Sequence, residues 1–424
     1  MILFLHLLLT TALVQNSVEP PDDSQLWLRR ASSEDKISLE IVSRKFVSEG
    51  KPDIWLVGVA HVADSSFYEE ITNLLDKMDI VLYESVRPAG SRKPGGNSDE
   101  DRVNSTQKSL EFVADVAKKC SEDSEELPES LEDVIVEASL IDRRLSSWIE
   151  DASVDAWGRP FSLHVDPEEK QITFWSFGSD GVYGGEGSAT DLTATRTVSS
   201  NRGVTEESGQ GPQQELAVAL NLEFQLDVLS YEEPNWFCSD LTIDEVEAKL
   251  KDLGVDDTIL GTLTGEAFTA KLAIGMMRLI PMLDSITGGG VSETARLLMI
   301  EMMSMPEAEL ILKNVEPDLA QVIIVDRNTE LLGDIETTIK LTDDIKTIGV
   351  LYGAGHMSDL SPRLKSMFGY VPVEDVWVTA LSVNPSKTLL DESYMKRLRF
   401  MLRYQLNKAN QKKTEKESSK ESSN

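Results

Sequence analysis

The chain is poor in positive charge, in histidine and in cysteine, and it lacks long apolar runs. Of its 424 residues, 41 are Lys or Arg and 73 are Asp or Glu, giving a formal net charge of −32. Such an excess repels phosphate backbones and anionic lipid, so no nucleic acid is expected as a partner. Beyond the N-terminal leader, no stretch reaches the roughly eighteen apolar residues that a membrane span needs. The two cysteines, Cys120 and Cys238, cannot make a disulfide framework. They form one bridge in an oxidising compartment or stay free thiols, and neither has the histidine neighbours of a nucleophile. There is also no HExxH helix and no GxSxG elbow, which excludes the commonest protease and esterase classes.

What is present is a short pattern used twice. Only four histidines occur in the chain. His6 lies in the leader and His164 in an inserted segment, whereas His61 and His356 occupy the same slot in two copies of one motif. The first copy is the apolar run Ile54-Trp-Leu-Val57 ending in Gly58-x-x-His61, and the second is Ile348-Gly-Val-Leu-Tyr352 ending in Gly353-x-x-His356. Helix-start residues follow each: Asp64, Ser65 and Ser66, with Glu69 as a capping box, and then Ser358 and Asp359. Each copy therefore reads as strand, tight loop, helix. After the first helix, Asp79-Ile-Val-Leu-Tyr-Glu84 reads as a parallel strand ending in an acid. A right-handed crossover puts His61 and Glu84 at carboxyl ends on one sheet edge, where open α/β sheets place their sites. The glycine before each histidine is expected to let the backbone crowd that site.

Two GxxH motifs, Tyr83-Glu84 with Arg87 behind it, and Asp326-Arg327-Asn328 ahead of the second motif together resemble the TraB/PrgY/GumN superfamily. That superfamily includes the Tiki metalloproteases and is related to erythromycin esterase and ChaN-like proteins. The resemblance covers about residues 37–87 and 213–383. It implies an α/β fold with a mixed sheet, two strand-GxxH-helix repeats and a helical cap, and it places an arginine, here Arg327, ahead of the second motif to face the site.

Met1 to Val14 form an apolar leader whose length suits a signal peptide (1–15), although no Lys or Arg precedes it. An exported protein, periplasmic or extracellular, is the expectation; an uncleaved anchor or a misassigned start are the alternatives. Lys36 to Phe46 alternates as a strand and leads by a turn into the first motif, so the sheet opens on a hairpin.

Behind Arg87 the composition changes. Residues 88–127 and 195–213 read as Gly-, Ser- and charge-rich linkers around a β-rich inserted lobe at 128–194. Within it, Asp155-Ala-Trp-Gly158 and Ser176-Phe-Gly-Ser-Asp-Gly-Val-Tyr-Gly-Gly-Glu-Gly-Ser-Ala-Thr-Asp191 resemble the C-terminal part of the major pseudopilin of type II secretion systems. The resemblance implies a Gly-rich loop that binds calcium, with Asp180 and Asp191 at the acidic positions. Calcium takes six to eight hard oxygens, and glycines let a backbone bend around it. The apolar helix by which pseudopilins assemble is absent here. The lobe is thus either a calcium-stapled decoration or a docking module for a secretion or envelope component.

The core resumes at 214–383. Thr242 to Leu250 is an acid-started helix, and Glu266 to Met305 holds two Met-, Leu- and Ile-rich helices interrupted by Pro281 and Gly288 to Gly290. Val322 to Val325 reads as a strand, after which Arg327 and Asn328 begin a helix. Asp375 to Leu381 is a last strand. Residues 384–406 include a basic amphipathic helix, and 407–424 is a Lys/Glu/Ser tail expected to be disordered.

His61, Glu84 and His356, converging from equivalent loops, make a set of N and O donors suited to a divalent transition metal such as Mn, Co or Zn with open positions for water. A metal so held acidifies bound water and polarises a carbonyl, as amide or ester hydrolysis requires. The expectation is a metal-dependent hydrolase acting on a peptide or a small ester or amide, with Glu84 and Arg327 as catalytic residues; a peptidase is what the Tiki resemblance implies. A metal-free enzyme with a histidine base oriented by Glu84 stays open. So do a peptide-sequestering protein and a secretion-associated scaffold.

Overall fold

The computed structural model describes residues 26–199, 212–255, 277, 279–305, 317–341 and 344–391, together with 393, 394, 396, 397, 399–401 and 404. The leader, the C-terminal tail and most of the helix expected between Glu266 and Leu279 fall outside these residues.

The chain opens on β1 (Leu28–Ser32), β2 (Ile37–Val47) and β3 (Asp53–Val59), continues through the short β4 (Val62–Ala63) and helix α1 (Ser65–Leu75), and returns as β5 (Ile80–Tyr83). An excursion follows: α2 (Asp99–Ser124), α3 (Leu131–Ile141), α4 (Leu145–Ala152), β6 (Ser162–Asp166), β7 (Gln171–Ser176) and β8 (Leu192–Thr197). Then come α5 (Pro212–Leu220), β9 (Glu223–Phe224), β10 (Trp236–Cys238), α6 (Ile243–Asp252), α7 (Ile280–Thr287) and α8 (Gly290–Met303). A π-helical turn at Gln321–Asp326 runs directly into α9 (Arg327–Leu341). Last are β11 (Thr347–Gly353), α10 (Met357–Phe368) and β12 (Val371–Val383).

The class is mixed α/β. The central sheet has seven strands in the order β1-β2-β3-β11-β5-β10, with β12 paired to β2. β3, β11, β5 and β10 run parallel, whereas β2 is antiparallel to β1, β3 and β12, so the sheet does open on a hairpin. The two motif strands are direct neighbours, Gly353 opposite Val59, and Glu84 leaves β5 beside them. Apolar residues cover both faces, as parallel strands require. On one face Phe67, Tyr68, Ile71 and Leu75 of α1 pack on Val57, Val59, Tyr83 and Leu351. On the other, Leu331, Leu332 and Ile335 of α9 and Leu360 and Leu364 of α10 pack on Ile54, Leu56, Leu82 and Val350. Each such side chain contributes about 1.5–3 kcal/mol when fully buried, so this three-layer core holds the motif loops rigidly from below.

Several expectations need correction. Residues 88–127 are not a linker throughout: Ser98 caps the 26-residue helix α2 through a capping box with Asp101. Leu110, Val113 and Ala117 of that helix pack against Ile172, Phe174 and Ala194 of the antiparallel sheet β6-β7-β8, so the helix belongs to the lobe. β8 also extends through 195–197, which were read as linker. Val322 to Val325 form the π-turn and not a strand, because the helical register of 317–341 continues through this β-branched run. Pro281 sits in the first turn of α7, where its missing N–H costs nothing, and so starts that helix. The capping box at Asp64 does not form. Its carboxylate is taken by Arg296 Nη1 at 3.0 Å and Ser382 Oγ at 3.1 Å, which fastens the first motif loop to α8 and β12.

Candidate active site

The carboxyl ends of β3, β5 and β11 deliver Ala60 and His61, Glu84, and Gly353 to His356 to one cavity of about 570 Å³. Its other wall is apolar: Leu28, Leu216, Met299, Met303, Ile323 and Ile324. The π-turn supplies the last two and places Arg327 one step further on, an example of such a turn standing at a candidate site.

Glu84 is the hub. Its Oε1 accepts from Arg327 Nη2 at 2.7 Å and lies 3.4 Å from His356 Nε2, while its Oε2 accepts from Gly353 N at 2.5 Å. Arg327 also donates to Asp240, from Nε at 2.8 Å and Nη2 at 2.5 Å. All four side chains are buried. Burial works against the charge on Glu84, but His356 and Arg327 outweigh it and hold the carboxyl well below the usual glutamate range. Burial likewise opposes the charge on Arg327, and Glu84 and Asp240 raise its pKa in spite of it. Two carboxylates share one guanidinium here, so Glu84, Asp240 and Arg327 together carry a formal charge of −1. Such a cluster draws a proton or a cation.

The two histidines are held alike. Asn328 receives the His356 Nδ1 proton on its Oδ1 at 2.8 Å, and its Nδ2 donates to the His356 carbonyl at 3.2 Å and to Asp359 Oδ2 at 2.9 Å. Gln225 accepts at Oε1 from His61 Nδ1 at 3.0 Å, its backbone N–H donates to the His61 carbonyl at 2.9 Å, and its Nε2 donates to Tyr231 Oη at 2.9 Å. His356 is buried, with Tyr352 edge-on to its ring, whereas His61 is exposed at the cavity mouth.

The glycines serve different ends. A Cβ on Gly353 would lie 3.1 Å from Glu84 Oε2, so this glycine does admit the carboxylate to the backbone. On Gly58 it would meet Ile41 Cγ2 at 2.9 Å and Val42 O at 3.2 Å, so that glycine serves sheet packing. Arg87, grouped with Glu84 in sequence, is buried and paired with Asp151 at 2.9 Å, fastening the lobe to the core. Cys238 and Cys120 are free, and burial pushes their thiols up to about 12 and about 11, which removes both as nucleophiles.

The donors at the polar end of the cavity match a metal site in part. His356 Nε2 and Glu84 Oε1 face each other at 3.4 Å, beyond a good hydrogen bond and close to the spacing of neighbouring ligand atoms on a transition metal with bonds of about 2.0–2.2 Å. Among the described residues, however, no three His, Cys, Asp or Glu side chains stand close enough to form a ligand set. Donor chemistry and the His356/Glu84 pair fit, and His61 lines the same cavity without completing a three-residue ligand set with them. Asp240, Gln225 and Tyr231 belong to this constellation without any mark in the sequence, and Asn328 is marked there only as the partner of Arg327 ahead of the second motif. Only the Arg327-Asn328 adjacency pointed toward any of them.

In the lobe, Gly178, Gly181, Gly184, Gly185 and Gly187 all take positive φ and curl the loop between β7 and β8. Asp180 Oδ1 accepts from Val182 N at 3.1 Å, and Asp191 Oδ2 from Gly184 N at 3.0 Å. Asp191 Oδ1 is buried without a partner, the kind of oxygen a bound cation satisfies. Calcium fits here. Among the described residues no helix is long and apolar enough to cross a membrane.

No curated protein and no solved structure matches the chain, and the TraB/PrgY/GumN resemblance rests on the motif residues alone. Residues 95–195, which hold α2 through β8, match the family model of type II secretion system (T2SS) protein G, and the lobe is similar to that family.

Proposed function

We propose that the chain is an exported hydrolase of the TraB/PrgY/GumN kind that cleaves peptides or small esters or amides in this cavity. One observation carries the reading: a buried Glu84–Arg327–His356 cluster stands at the polar end of a cavity whose opposite wall is apolar. A divalent transition metal, Mn, Co or Zn, would be held by His356 and Glu84, with His61 from the same cavity having to swing in as a third ligand, and it would supply an acidified water and a polarised carbonyl. Arg327, locked between Glu84 and Asp240, fixes the carboxylate and offers positive charge where an oxyanion develops. The methionines and isoleucines hold the apolar part of the substrate and exclude water from the polar end.

The test is elemental analysis of the purified protein beside His356→Ala, after exposure to Mn²⁺, Co²⁺ and Zn²⁺ and dialysis, with a peptide and ester library screened in parallel. About one metal per wild-type chain and none in the variant is expected. Turnover without metal would replace this mechanism by a histidine base oriented by Glu84. Binding of peptides with no turnover would replace the enzyme by a sequestering protein.

For the lobe, the partnerless Asp191 Oδ1 favours a calcium site formed with Asp180 and loop carbonyls. The family-model match supports docking of this lobe to a secretion or envelope component.

A further inference from the structure

The two motif histidines lie on different loops and are clamped in the same way by two unrelated amide residues. We infer that Gln225 and Asn328 are positioning residues that keep His61 and His356 protonated on Nδ1, so that both Nε2 atoms remain open donors. The inference deepens the proposed site, resting on its reading of the two histidines as ligand-binding groups.

The orientation of Asn328 follows from its partners. Its Nδ2 faces only acceptors, the His356 carbonyl and Asp359 Oδ2, so Oδ1 is the atom turned to the ring. An amide oxygen accepts and cannot donate, hence His356 carries its proton on Nδ1. With its proton on Nδ1, His356 turns Nε2 toward Glu84 Oε1 at 3.4 Å, an arrangement that a proton or a metal cation between the two atoms would satisfy. Gln225 repeats the device from a segment 164 positions from His61: its backbone N–H meets the His61 carbonyl, its Oε1 meets Nδ1, and its Nε2 lies against Tyr231 Oη. A free imidazole favours the opposite tautomer, so each clamp works against the ring's own preference. Partners of this kind, acting on the ring nitrogen away from a ligand, set which nitrogen stays available.

The decisive measurement is long-range ¹H–¹⁵N NMR of the full-length chain, ¹⁵N-labelled at histidine, without added metal and above the pH where the rings lose their second proton. With four histidines, His61→Gln and His356→Gln assign the signals. The wild type should show Nδ1–H for both rings. Gln225→Met should return His61 to mostly Nε2–H, and Asn328→Leu should do so for His356, while Gln225→Glu, whose carboxylate still accepts, should keep Nδ1–H. Zn²⁺ titration should show 10- to 100-fold weaker binding in Gln225→Met and recovery in Gln225→Glu. Neutral Nε2–H rings in the wild type, or Nδ1–H surviving both apolar variants, would overturn the inference. If Asn328→Leu fails to fold, the exposed His61 pair decides alone. Nδ1–H rings that shift as expected in a chain binding no metal would sink the metal reading and leave the positioning role intact.

Discussion

His356 Nε2 lies 3.4 Å from Glu84 Oε1, and the same oxygen accepts from Arg327 at 2.7 Å. One carboxylate oxygen thus faces two groups from two elements, the motif loop after β11 and the start of α9. Glu84→Gln should leave ligand affinity within a few-fold and lower turnover by about 10²- to 10⁴-fold, the range for a positioned acid-base group. Steady-state rates beside equilibrium binding of the same peptide separate the two effects, and equal loss of both would place Glu84 in binding alone.

Removing the guanidinium should cost stability. Arg327→Met leaves Glu84 and Asp240 as buried carboxylates without their shared partner, a loss of about 3–5 kcal/mol. Arg327→Lys should recover only part, since an ammonium cannot reproduce the fork that reaches both acids. Denaturant unfolding of the three proteins checks the order.

The depressed pKa of Glu84 fixes the sign of an acid effect. Its folded-state value lies below the unfolded value of about 4.3, so its contribution is fully present above that pH and fades as pH falls toward the folded value. Glu84→Gln should be less stable than wild type at neutral pH and should lose less on acidification below about 4.3. Unfolding curves from neutral to acid pH should therefore converge, and parallel curves would contradict the assignment.

Gly353→Ala should separate crowding from chemistry. The added Cβ stands 3.1 Å from Glu84 Oε2, and relief requires moving the carboxylate that Gly353 N holds. A cost of about 1–3 kcal/mol is expected, with turnover falling more than binding.

Calcium should act on the lobe. Saturating Ca²⁺ at about one hundred times its Kd should add about 2.7 kcal/mol to lobe stability, and Asp191→Asn should abolish the gain. Calcium-dependent thermal unfolding of the full chain reads this directly, with an unchanged wild type as the contrary result.

The sheet and two of its site elements were legible because their signals are local. Runs such as Ile54 to Val57 and Ile348 to Tyr352 are apolar throughout, each ends in GxxH, and they pair as neighbouring parallel strands. Arg327 was legible as a candidate through its place ahead of the second motif. Asp240, Gln225 and Tyr231 were not, since each lies on irregular chain or a short turn and reaches the site by tertiary contact alone. The strand expected at Val322 to Val325 failed for a related reason: β-branched residues suit a strand, and the helix carried on through them as a π-turn. Asp64 misled in the same manner, its carboxylate drawn to Arg296 and away from its own helix.

The excursion that holds the lobe leaves the sheet at Tyr83, the carboxyl end of β5, and the chain re-enters it at Trp236, opposite Val81 on the adjacent parallel strand β10. The chain therefore departs toward the lobe immediately beside Glu84, the residue that follows the end of β5. Such a lobe is a handle mounted on the strand end that carries the carboxylate. Arg87 to Asp151, Arg144 to Ser85, Lys108 to Asp244 and Arg143 to Glu232 fasten it to the core. The lobe and the carboxylate of the cavity are thus neighbours along the chain, joined by the segment between Glu84 and the lobe's first helix.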